Sequence, residues 1–204
     1  AMPLSEPALL RSLFPLRAES CHRSARRLAM ALLIVALLLV SGVRADERPV
    51  SFVNDVMPVL TKAGCSIGFC HAKAGGGQRG FQLSLLGFEP DEDYEHLVKE
   101  SRGRRIAASS PEESLILQKA SGRMPHGGGV RLTRDSEGYL ILRDWIAQGA
   151  PDDRATAPGL VSIEVQPASG TIPRSSEQSL KALARYADGT TRDVTGLALF
   201  ESND

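Results

Sequence analysis

The hydrophobic period of this 204-residue chain changes once, near residue 153, and that change limits the fold more than any other feature. Upstream, apolar side chains recur three and four residues apart, the spacing that lines one face of a helix. Downstream they alternate with polar ones, as in a strand that buries one face. A run of helices followed by a run of strands reads as two packed units. The boundaries are residues 46–152 for a mainly α unit, a polar Ala/Pro/Gly linker at 153–159, and an all-β unit from 160 to 204.

Four helices are predicted upstream. Ser51 or Asn54 caps the first, which carries apolar residues at 52, 53, 56, 59 and 60 and ends near Lys62, before Gly64. A glycine-rich loop fills 72–80, and Phe81–Leu85 reads as extended or irregular. A second helix runs from Asp91 to about Ser101, acidic in its first turn. Ser110-Pro111-Glu112-Glu113 starts a third, with a serine cap and proline at the first helical position, which carries Leu115, Ile116, Leu117 and Ala120 and stops at Gly122. The last, capped by Thr133 or Ser136, presents Tyr139, Leu142, Trp145 and Ile146 on one face. Downstream, strands are expected at 161–165, 180–186 and 191–195, with an Asp188-Gly189 hairpin turn between the last two. Three or four strands are too few to close a sandwich of about seven. The all-β unit is therefore expected to be truncated.

The 24 basic and 24 acidic residues cancel, so no overall field points to nucleic acid. From Ala29 the chain reads AMALLIVALLLVSGV, preceded by Arg17, Arg23, Arg26 and Arg27 and followed by Val43-Arg44-Ala45. A basic region, an apolar region and a small-residue site make this a signal peptide over 1–45, cut after Ala45. The apolar stretch falls short of the roughly 20 residues that span a bilayer, although an uncleaved anchor is the competing reading. Arg26-Arg27 is read as ordinary basic flank rather than a twin-arginine signal. The expected location is the periplasm or cell envelope, with no membrane span after cleavage. Cys21 would be lost with the leader.

Two cysteines then remain, in Cys65-Ser66-Ile67-Gly68-Phe69-Cys70-His71. Two thiols around a short loop can add to the two vinyl groups of one haem, and a histidine directly after the second can ligate the iron. The usual attachment string has two intervening residues; here there are four, and Gly68 would let the longer loop bulge. A Cys65–Cys70 disulfide, a zinc site and a catalytic cysteine compete with this reading. Haem iron also needs a distal ligand or an open position. Met124, in the Arg123-Met124-Pro125-His126 loop, is the favoured ligand and His126 the alternative; His96 is read as solvated.

Cys65 to His71, Phe81 to Phe88 (FQLSLLGF), Pro125-His126-Gly127-Gly128-Gly129 and Trp145 to Pro151 together resemble the planctomycete-type cytochrome c module, over about residues 50–152. The segment from Ile163 to Thr195 is similar to bacterial Ig-like group 2 domains. The resemblance implies a mainly α cytochrome c-like domain followed by a truncated all-β Ig-like sandwich. It also implies covalent haem c on Cys65 and Cys70, with His71 as proximal iron ligand. The expected function is one-electron transfer to a redox partner protein or to fused C-terminal domains. A non-redox envelope spacer and a haem peroxidase are the alternatives.

Overall fold

A computed structural model describes residues 48–68 and 70–202. The expected leader, with its apolar run and Cys21, lies outside them. Residues from Pro49 onward form one compact unit. The Ser51 hydroxyl accepts from the Asn54 amide at 2.9 Å and caps a π-helical turn, Phe52–Val56, which runs into helix α1, Met57–Lys62. Three helices follow: α2 Pro90–Tyr94, α3 Leu115–Ala120 and α4 Glu137–Ala147. Strands β1 Leu160–Gln166, β2 Lys181–Tyr186 and β3 Thr191–Asp193 make one antiparallel sheet, ordered β1-β2-β3.

This architecture overturns the expected mainly α, cytochrome c-like domain followed by an Ig-like sandwich. Of the four helices only α4 is longer than six residues, and the sheet is a single layer of three strands. The causes are local. The helix expected to reach Ser101 leaves α geometry after Tyr94, passes through a π turn at Glu95–Lys99, and stops where Ser101 and Arg102 take φ of 53° and 61°. Side chains at positive φ cannot continue a right-handed helix. The helix expected from Ser110 begins instead as a 3-10 turn, Pro111–Glu113, is broken at Ser114 by an extended ψ of 131°, and resumes only as the short α3. The buried Ser114 hydroxyl accepts from the Ala107 amide at 2.9 Å, an alternative to helical bonding that serine favours. Strand β1, expected half-buried, is exposed along its length because no second layer covers it among the described residues.

The core forms where α4 meets the Phe52–Val56 turn. Tyr139, Leu142, Trp145 and Ile146 are its buried residues. Trp145 lies 5.5 Å from the Phe52 ring, and Phe52 meets Tyr94 edge-on at 5.0 Å. Each such side chain stabilises the fold by about 1.5–3 kcal/mol through burial. The Trp145 indole N–H donates to Pro151 O at 3.1 Å and the Tyr94 hydroxyl to Ala150 O at 2.8 Å, so both rings also fasten the turn after α4.

The segment between α4 and β1 is bonded to that core. Asp153 Oδ1 accepts from the amides of Phe52 (3.0 Å) and Val53 (3.3 Å), and Asn54 Nδ2 donates to Pro158 O at 2.9 Å. The sheet has its own small core of Ala182, Ala184, Tyr186 and Val194. Arg192 pairs with the buried Asp55 of the Phe52–Val56 turn, and Lys62 Nζ donates to Gly196 O at 2.6 Å, which holds the sheet and the segment after it against the Phe52–Lys62 helical run. Among the described residues no helix is long and apolar enough to cross a membrane.

Candidate functional site

Cys65 stands at the end of α1, its amide donating to Leu60 O at 2.9 Å. The loop that follows closes on itself: the His71 amide donates to Cys65 O at 3.1 Å. That bond brings the residue after the second cysteine back to the first, despite the four residues between the thiols. Gly68, at φ +57°, makes the turn in a conformation that side chains rarely adopt. Ser66 is fully buried beneath the loop, with its hydroxyl 3.0 Å from Thr61 Oγ1 and its carbonyl accepting from the Leu86 amide at 3.3 Å.

Both cysteines are free thiols and half-buried. Burial pushes the Cys65 thiol up to about 11, against the lowering effect of the Arg131 guanidinium. Arg131 Nη2 lies 4.0 Å from Cys70 Sγ. Cys65 is thus held as the neutral thiol at physiological pH.

The segment Phe81–Leu83 is the brace behind His71. The Leu83 amide donates to His71 O at 2.7 Å and the Lys73 amide to Leu83 O at 2.8 Å, a short parallel bridge between Ala72 and Leu83. The same pairing brings Phe81 O to 3.1 Å from His71 Nδ1 and the Phe81 ring to 4.6 Å from the imidazole. A carbonyl only accepts, so Nδ1 carries the proton and, in the neutral ring, Nε2 keeps a free lone pair. Burial lowers the His71 pKa, outweighing the Phe81 bond, so the neutral ring is the prevailing form.

A second imidazole is prepared in the same way. The loop after α3 is pinned by the Met124 amide on Gln118 O (3.0 Å), by Lys119 Nζ on Pro125 O (3.1 Å) and by the Arg131 amide on Ala120 O (2.7 Å). Within it His126 Nδ1 donates to Gly129 O at 3.0 Å, which again leaves the Nε2 lone pair free. The His126 and His71 rings are parallel within 6°, with centroids 6.2 Å apart. The structure therefore pairs the rings of His71 and His126, and closes the backbone of the cysteine loop on Cys65. Met124, the favoured distal ligand in the sequence, is half-buried in the same loop, but the ring that stands opposite His71 is His126.

Several partners at the site escape sequence reasoning. The Phe81 and Gly129 carbonyls orient the rings, and backbone acceptors leave no mark in side-chain chemistry. Arg105 is another. Its guanidinium, 4% exposed, lies 4.7 Å over the Phe81 ring and donates to Gly80 O at 2.9 Å and to His96 O. His96, read as solvated, is half-buried: Nδ1 donates to Gln82 O at 2.9 Å and Nε2 lies 3.5 Å from Glu100. A cue was present in the Phe81 to Phe88 run, whose apolar residues flank the cysteine loop in the sequence.

Among the described residues no three His, Cys, Asp or Glu side chains converge as a metal cage would require. The arrangement is a pair of stacked imidazoles, with the two cysteines on the loop that leads to His71. The two imidazoles are the residues that could hold the iron of a haem. Compared with known proteins, the chain matches no family model, no curated protein and no solved structure.

Proposed function

We propose that this chain is an exported electron-transfer protein that binds one haem covalently through Cys65 and Cys70 and holds its iron between His71 and His126. The parallel imidazole pair carries this reading. The two rings form a stacked pair with centroids 6.2 Å apart, close enough to approach one bound group together. Both rings have Nδ1 committed to a backbone carbonyl, the outer contact that fixes a ligating histidine's tautomer and raises its basicity.

Bound haem would supply a one-electron iron couple. The chain's own contribution is positional. The Cys65–His71 loop, closed by its backbone bond, would carry both thiols, and each would add its S–H across one vinyl double bond of the haem. The carbonyls of Phe81 and Gly129 would hold both imidazoles in place when an electron passes, which would keep reorganisation small. If both imidazoles ligated the iron, no position would be left for peroxide, which would favour transfer over peroxidase chemistry. The donor or acceptor is a redox partner protein or a fused domain. Export rests on the basic-apolar-small pattern of residues 1–45.

The test is to export the chain in cells carrying haem-ligation machinery, stain a denaturing gel for haem, and record absorption and electron paramagnetic resonance of the oxidised protein. Covalent haem with a low-spin bis-imidazole signal is expected. Weak far-red absorption from sulfur-ligated ferric iron would transfer the distal role to Met124. A colourless product would sink the haem reading and leave a thiol-containing envelope module.

A further inference from the structure

We infer that Arg105 is the positioning residue for the His71 imidazole and a fixed cation that sets the reduction potential of the site; this rests on the haem reading above. Arg105 is buried to 4% exposure, unusual for a guanidinium, and its contacts converge on the segment that orients His71. Nη2 donates to Gly80 O at 2.9 Å, Nη1 donates to His96 O, and the charge lies 4.7 Å over the face of Phe81. Phe81 in turn supplies the carbonyl that receives His71 Nδ1–H, and its ring packs 4.6 Å from the imidazole. One planar fork thereby clamps both the carbonyl before Phe81 and the ring of Phe81, so the acceptor for His71 cannot swing away.

A lysine could not do the same. The guanidinium presents several donors in a rigid plane that can stack on a ring while bonding two carbonyls, whereas an ammonium is a point charge. The charge has a separate consequence. Glu100 Oε2, at 3.6 Å, offsets part of it, but Glu100 is 42% exposed and solvent screens it more than it screens Arg105. A net positive charge remains beside the proximal ligand. Reduction adds one negative charge to the iron centre, so this cation favours the reduced state and raises the potential.

Arg105→Gln and Arg105→Lys separate the two effects in the full chain. In haem-loaded protein, spectroelectrochemical titration is expected to give a lower midpoint potential for Arg105→Gln than for the parent. Arg105→Lys should stay nearer the parent value, because it keeps the charge. In chain produced without haem-ligation machinery, nitrogen NMR of the His71 ring should report a single Nδ1–H tautomer for the parent and mixed tautomers for both variants, because both lose the fork. Thermal unfolding of each variant confirms that the comparison is between folded proteins. Parent potential together with parent tautomer in Arg105→Gln would overturn the inference. A parent chain that takes up no haem defeats the haem reading instead, and the tautomer comparison then decides the positioning role by itself.

Discussion

Replacing Gly128 by alanine would put a methyl group 2.9 Å from His126 Cε1 and 3.4 Å from Nδ1. The ring is the free end of a side chain and can yield, so the cost to stability is small; its orientation is what changes. Gly128→Ala is expected to unfold near the parent temperature while losing much of the low-spin bis-imidazole signal, and an unchanged resonance spectrum would show that the ring position does not matter. At this scale the candidate site was legible in part: the structure pairs the rings of His71 and His126. Cys65, Cys70, His71 and His126 stand out by type and spacing, because thiols and imidazoles are rare in this chain. The choice between Met124 and His126 was not legible, since both lie in one loop and only the packing of that loop on α3 decides which faces His71. His96 was misread for a related reason. Nothing in the charged run around it says that Gln82, fourteen residues earlier, would pass close enough to accept from its ring.

Among the elements, α4 was the most readable. Its serine cap, apolar face and terminal glycine all lie within one stretch, and Ser136 Oγ does accept from the Tyr139 amide. The middle of the chain was not, because its helices are cut by Leu86, Ser101 and Arg102 at positive φ, a conformation that side-chain type gives no reason to expect. Alternation in β1 marked a strand correctly and its burial wrongly, for a strand pattern says which face could be covered and not whether anything covers it. The first helical turn shows the same limit. Its remote acceptor, Asp153, sits a hundred residues away in what reads as linker. Asp153→Ala removes a carboxylate that receives two amides, and the expected loss, measured by urea denaturation, is about 1 kcal/mol, the usual worth of a side-chain cap. A loss near zero would mean that water serves those amides equally well.

At the scale of the whole molecule, the passage from α4 to the sheet is fixed by Arg154. It pairs with Asp152 at 2.6 Å, donates to Asp91 O at 2.7 Å and lies 4.6 Å over the Tyr94 ring. The guanidinium holds the Asp152 carboxyl below its ordinary range, and Lys99 followed by Arg154 does the same for Glu95. With folded values below unfolded ones, the unfolded chain takes up protons first as the solution is acidified. The stabilisation is complete above the ordinary carboxylate value of about 4 and disappears as pH falls through the lowered values. Thermal midpoints of the parent and Arg154→Gln should therefore differ at pH 6 and draw together towards pH 2. A constant gap would assign the whole effect to stacking on Tyr94.

The Asp153 carboxylate and the Pro158 carbonyl carry a practical implication for anyone dissecting this protein. A fragment that stops at residue 152 severs the acceptors of the Phe52 and Val53 amides and of the Asn54 side chain. Its opening helix would fray, and the Phe52 ring anchored there would loosen against Trp145. The shortest excision that spares this end of the hydrophobic core runs past Pro158. Proteases that nick extended tethers should accordingly find 153–158 a poor substrate in the intact chain.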